Sequence, residues 1–151
     1  MPARVFISYD HDDANQVNGF RSLGQNPNHP LEFQDRSLAD PVRDKADRII
    51  RYPPTDPRAE PVRRAIRERF DQCSRLVVLI GDDTHSSAWV DWEIEEFHRR
   101  KQALGYDASR RIRGMRLKGS RGGGPAALRG RSMPTLEWNP TELDRWLDTP
   151  V

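Results

Sequence analysis

Apolar positions along the chain fall into two rhythms. Short β-branched and aromatic runs occur at Arg4 to Tyr9 (RVFISY) and Leu76 to Ile80 (LVVLI), the second uninterrupted by polar residues and closed by Gly81. A strand with no polar face is buried on both sides, as in a parallel sheet covered by helices. Leu31 and Phe33 alternate with Glu32 and Gln34 as in a half-buried or edge strand, Ile112, Met115 and Leu117 suggest a weaker one, and Met133 to Trp138 a last short one. Helical spacing fills the intervals. Val17, Phe20 and Leu23 form a first stripe, weakened by Gly19 and ended by Gln25-Asn26-Pro27-Asn28, and Val62, Ala65, Ile66, Phe70 and Cys73 form a second. Ser87 suits the cap of a third helix from Ala88 to about Leu104, with Trp89, Ile94, Phe97 and Leu104 on its inner side and Gly105 at its end. Asn139-Pro140-Thr141-Glu142 opens a last helix docked by Leu143, Trp146 and Leu147. Asp35 to Asp44 reads as a long loop. Prolines 53, 54 and 57 interrupt Tyr52 to Glu60, and Gly119 to Arg131 is too rich in Gly and Arg for core, which predicts a mobile loop.

Alternating strands and helices over 151 residues predict a single domain, residues 1–151, of α/β class: a flavodoxin-like, doubly wound, mostly parallel five-stranded sheet with helices on both faces. Charge narrows the function little. The net charge is only +2 despite a pI of 9.0, and no concentrated basic face stands out, so a nucleic-acid partner is not expected. A single cysteine, Cys73, excludes an intramolecular disulfide framework and a Cys-rich zinc site, and is expected to act as a small buried apolar residue. No run of about 18 apolar residues exists, and no signal peptide is evident, so the expectation is a soluble, cytoplasmic protein without membrane contact.

In flavodoxin-like sheets ligands bind beyond the carboxyl ends of the strands, beside the first and third. That rule alone selects Ser8, Tyr9 and Asp10, then Gly81 to Ser87 including His85, with Asp35, Arg36, Ser37 and Leu38 close enough to close over the crevice. Trp89 and Glu93, four residues apart, share a helix face near the helix start, where the helix dipole favours an anion. Glu93 is therefore expected to stay ionised at neutral pH. Periodicity alone favours a structural Trp89 and a solvated Glu93, with Glu95 and Glu96 solvated too. The pairs Asp12-Asp13 and Asp82-Asp83 read as solvated turn acids, and the histidines show no ligand spacing, so no metal is predicted.

Four stretches in register change the weighting: VFISYDHDD at Val5 to Asp13, FQDRSL at Phe33 to Leu38, LVVLIGDDTHSSAWVDWEIE at Leu76 to Glu95, and IRGMRLKGS at Ile112 to Ser120. Together they resemble the TIR-like family, most of all the TIR-like proteins of bacterial Thoeris antiphage systems. The resemblance implies cleavage of the nicotinamide–ribose bond of NAD, as substrate rather than cofactor, with the Glu of a Trp-x-x-x-Glu motif essential. That motif maps onto Trp89 and Glu93. The resemblance further implies an ADP-ribose-derived signalling nucleotide, cyclic or conjugated, that activates a partner effector protein; a homo-oligomer is a further option. Phe6, Ser8 and Tyr9 would bound the nicotinamide or ribose, Asp10 and Asp35 would hold sugar hydroxyls, Arg36 would meet the pyrophosphate, and His85 would stack near the ligand. Two alternatives stand beside this: a noncatalytic TIR-like interaction module, and a phosphoacceptor receiver domain. Gly81 argues against the receiver, because it stands where the acceptor Asp would follow the third strand. The chain also lacks the basic-Gly pair that follows the first strand in eukaryotic TIR domains.

Overall fold

In the computed structural model, which describes residues 2–38, 41–130 and 135–151, five parallel strands make one sheet: β1 (Ala3–Ser8), β2 (Phe33–Asp35), β3 (Arg75–Ile80), β4 (Ile112–Arg116) and β5 (Thr135–Leu136). Their order is β2-β1-β3-β4-β5, the flavodoxin-like order, with the reversal between β1 and β3. Ser8 lies beside Val78, and Ile80 beside Arg116. The part of the expected last strand at Met133 and Pro134 lies outside the described residues, as do Ala39 and Asp40 of the expected loop.

Period-two alternation divides the core. Phe6, Leu76, Val78 and Ile80 face α2 (Glu60–Gln72), α3 (Ala88–Ala103) and α4 (Ala126–Gly130) through Ile66, Phe70, Val90, Ile94, Phe97 and Leu128. Val5, Ile7, Val77 and Leu79 face α1 (Ala14–Gln25) and α5 (Pro140–Asp148) through Val17, Phe20, Leu143 and Trp146. All six residues of β3 are buried, which is why its sequence shows no polar face. Even Arg75 is taken inside, because its guanidinium caps the C-terminal end of α5 by donating to the carbonyls of Trp146 and Thr149.

The helix ends follow local chemistry. Ser87 Oγ accepts from Val90 N at 3.3 Å and Asn139 Oδ1 from Glu142 N at 3.1 Å, so both N-caps form as expected. Gly105 takes φ +88°, the left-handed conformation that ends α3. Two expectations are corrected. Leu104 is 64% exposed; the inner stripe of α3 ends at Lys101, whose aliphatic stem is buried while its ammonium donates to Phe70 O at 2.9 Å. The described part of the Gly119 to Arg131 stretch, residues 119–130, is not a featureless loop: Gly124, Pro125, Ala127 and Leu128 are buried, and Asp91 Oδ1 accepts from Ala127 N at 2.9 Å to seat α4, while Arg131 lies outside the described residues. Cys73 is buried at the end of α2, and burial pushes its thiol up to about 12.

Replacing Leu79 by Ala, which opens a cavity between β3 and its covering helices, should cost about 2–5 kcal/mol in chemical denaturation. Leu104→Ala, on the surface, should stay within about 0.5 kcal/mol of the parent chain.

Candidate active site

The inner stripe of α3 runs Val90, Glu93, Ile94, Phe97, Lys101, a helical spacing of three and four that places one carboxyl group among core residues. On the facing strand, Phe6 and Ser8 point the same way, because both occupy even positions of β1. Glu93 is only 8% exposed and Ser8 only 1%. Ser8 Oγ donates to Glu93 Oε1 at 2.9 Å across 85 residues of chain. This contact joins the end of β1 to the first turns of α3 beside the point where strand order reverses.

Burial dominates the electrostatics of this pair. It pushes the Glu93 carboxyl up to about 8, outweighing the Ser8 hydrogen bond, which pulls the other way. The expectation of an ionised Glu93 is therefore corrected: desolvation outweighs the helix dipole, and in this arrangement the group is mostly protonated at pH 7.

Around the pair the β2–α2 connection is fastened down. Ile7 N donates to Ser37 Oγ at 2.7 Å, Leu38 packs against the cluster that contains Phe6 and Val90, and Trp89 Nε1 donates to Tyr52 O at 3.0 Å. Trp89 stands edge-on to Trp92, ring centroids 5.5 Å apart, and Arg67 lies over Trp92. A cavity of about 630 Å³ lies farther along α3, bordered by Trp92, Glu95, Glu96 and Arg99.

Ser8, Glu93, Phe6, Ser37 and Trp89 thus gather at one end of the sheet, on the side of α2 and α3. Phe6 is core there, its ring 4.8 Å from that of Phe70. The remaining candidates go elsewhere. Tyr9 packs on the α1 side, with the Arg21 guanidinium 5.3 Å from its ring centroid. Asp35 pairs with Arg21 at 2.8 Å and accepts from Ser37 N. Arg36 donates to Gln34 at 2.9 Å. Asp10 caps a short 3-10 turn at His11–Asp13. Gly81 is held by Thr84, whose Oγ1 accepts its N–H at 2.8 Å, and a Cβ at this position would run into the Asp13 carboxylate. His85 is exposed and borders a separate cavity beyond β3 and β4.

Sequence reasoning missed two acids in this region. Asp13 is drawn in against Gly81 and Thr84; burial and then the neighbouring Asp10 hold its carboxyl above the usual range, so it is not simply a solvated turn acid. Glu96 is 8% exposed. Burial would raise it, but hydrogen bonds from Arg99 and Arg67 outweigh that and hold it below its ordinary value. The signal for Glu96 was in the sequence, since it precedes Phe97 on the buried side of α3 and stands three residues before Arg99. No group of three or more metal-ligating side chains occurs among the described residues, and no helix among them is long and apolar enough to cross a membrane.

The sequence profile described as Thoeris protein ThsB, TIR-like domain, matches residues 6–117. The chain belongs to this family. The match runs from β1 through β4 and so takes in both members of the Ser8–Glu93 pair. No curated protein matches the chain. Membership in the Thoeris ThsB TIR-like family supports a role in antiphage defence.

The sign of the Glu93 shift fixes a stability trend. A carboxyl raised in the folded state binds its proton more tightly there than in the unfolded chain, whose value stays near 4.5. Its contribution is complete below about 4.5 and is lost as pH rises through about 8. Thermal melts should fall across that window by the equivalent of up to about 5 kcal/mol. Glu93→Gln, which keeps an acceptor for Ser8 and carries no charge, should remove that slope and be the more stable form above pH 8. A wild-type melt as flat as the variant's would show that Glu93 titrates normally.

Proposed function

We propose that the chain cleaves the nicotinamide–ribose bond of NAD, with Glu93 as the catalytic group, and releases an ADP-ribose-derived nucleotide, cyclic or conjugated, that activates a partner effector in bacterial antiphage defence. The observation that carries this reading is a single carboxyl group buried against Ser8 at the switch point of a TIR-like sheet.

Nicotinamide departs as a neutral base, so the leaving group needs no general acid. The reaction needs support for the positive charge that grows on the ribose ring, and a fixed carboxylate in a low-dielectric setting supplies it. Such a charge contributes several kcal/mol, on the order of a thousandfold in rate. The protonated resting state of Glu93 fits this chemistry through charge coupling. The nicotinamide ring of NAD is cationic, and an opposite charge brought within a few ångströms lowers a carboxyl pKa by about 1–3 units. Substrate binding therefore ionises the group it needs, and in its absence Glu93 stays neutral.

Access requires the β2–α2 connection to lift. The contacts to break are the Ser37–Ile7 and Trp89–Tyr52 hydrogen bonds and the packing of Leu38, each local and modest in strength. Their closure in the resting chain favours a second reading, a noncatalytic interaction module in which Glu93 serves packing alone. Binding decides between the two. The module reading requires that NAD has no affinity for the chain in any assembly state, including a homo-oligomer or a complex with an effector.

Mass spectrometry of nucleotides from cells expressing this chain, with and without phage challenge, should find free nicotinamide and an ADP-ribose-derived product. The Glu93→Gln variant should yield neither while keeping its fold. Once activity is in hand, kcat/KM should climb about tenfold per pH unit below a plateau near pH 8, because the free protein must ionise Glu93. The pKa governing kcat should lie lower, and a profile flat from about pH 6 to 9 would contradict the assignment.

A further inference from the structure

The two ends of the sheet carry opposite charge. Asp10, Asp12, Asp13 and Asp82 interact at the end where the strands finish. At the other end, where β1, β3 and β4 begin, cations are drawn in instead: Arg75, Lys101 and Arg111 are buried and Arg113 is half-buried. Lys101 is held by Phe70 O, and Arg111 donates to Ser74 O at 3.3 Å. Arg75, the first residue of β3, is only 2% exposed. Its guanidinium donates to the carbonyls of Trp146 and Thr149 and lies 4.7 Å from the Trp146 ring centroid, with the Arg113 guanidinium 5.2 Å from the same ring.

These contacts leave the Arg75 charge unbalanced. The C-terminal end of a helix supplies only about half a negative charge. Arg75 forms no ion pair among the described residues, and its Nε–H has no hydrogen-bond partner among them. Burial, and then the like charges of Arg111 and Arg113, hold the guanidinium below its ordinary proton affinity. A buried charge beside others of its own sign costs free energy, and an anion offsets that cost. Arg75 lines an open cavity of about 680 Å³ together with Arg4, Ser74, Asp148 and Thr149. Arg4 is exposed, and its guanidinium has no hydrogen bond, ion pair or ring contact among the described residues. Two guanidinium groups thus outnumber one exposed carboxylate, Asp148, and two hydroxyls stand beside them.

We propose that this cavity binds a phosphate group, free or as a phosphomonoester, with Arg75 and Arg4 supplying the counter-charge and Ser74 and Thr149 the hydroxyl donors. The chemistry matches in charge and in geometry. A phosphate group carries about −1.5 to −2 near neutral pH and presents three strong acceptor oxygens. Guanidinium forks suit such oxygens better than any other side chain does. The cavity volume leaves room for a sugar or similar group behind the phosphate. The site lies at the start of β1, about 16 Å at strand rise from Ser8 at its end. Its occupancy is therefore separate from the chemistry proposed for Glu93.

The test is NMR of the whole chain at constant ionic strength, titrated with inorganic phosphate and separately with ribose 5-phosphate, with chloride as the control. The expected result is saturable shifts of the Arg75 Nε–H signal and of the Arg4, Ser74 and Thr149 amides that chloride does not produce. Arg4→Ala, at an exposed position, should weaken binding about fivefold, and Asp148→Asn should tighten it about threefold. A gain in affinity cannot come from misfolding. Tighter binding of ribose 5-phosphate than of inorganic phosphate marks a phosphomonoester as the occupant, and the reverse order marks free phosphate. An equal response to chloride, shifts confined to the Ser8 and Glu93 end, or unchanged affinity in either variant would overturn the proposal.

Discussion

One carboxyl group held out of water by a helix that has no choice about it governs this molecule. α3 must turn Val90, Ile94 and Phe97 toward β1 and β3 to close the core on that side, and Glu93 lies between them on the same stripe. It cannot be exposed without rotating the helix and exposing its apolar partners. The cost of that enclosure appears as a raised proton affinity, which the Ser8 hydrogen bond opposes without cancelling. A group kept neutral by burial adds to folded stability only while it holds its proton.

The strands and most of the helices could be read from the chain because their signals are local. An apolar run such as Leu76 to Ile80 announces two-sided burial, and Ser87 and Asn139 announce helix starts through side-chain oxygens that reach their own backbone. The switch-point rule selected Ser8 and the Trp-x-x-x-Glu resemblance selected Glu93, and the fold brings the two into hydrogen-bond contact. What stayed hidden was tertiary. Tyr9, Asp35 and Arg36 lie within a few residues of the crevice in sequence, yet strand alternation sends Tyr9 and Asp35 to the α1 side, where Arg21 meets both. Glu93 and Glu96 read as polar and are buried. Their environments differ because two arginines reach Glu96 and only a neutral hydroxyl reaches Glu93. The Gly- and Arg-rich stretch after β4 misled through composition, since its buried portion, Gly124 to Leu128, is held by Asp91 from α3, a contact no local pattern reports.

Two chemistries consequently share one end of the sheet. On the α2 and α3 side a protonatable carboxyl, Glu93, is packed with Ser8 against the cluster that contains Phe6, Val90 and Ile94. Toward β4 lies an open, carboxylate-rich surface floored by glycine backbone.

The central proposal is that Glu93 is neutral at rest and is ionised by a cation brought beside it. Carbon-13 titration of the Glu93 side-chain carboxyl, assigned by its absence in Glu93→Gln, reads this directly with and without NAD. The account predicts a midpoint near 8 in the free protein and one lower by about 1–3 units when NAD is bound. A midpoint near 4.5 in the free protein, or one that NAD leaves unmoved, would contradict it.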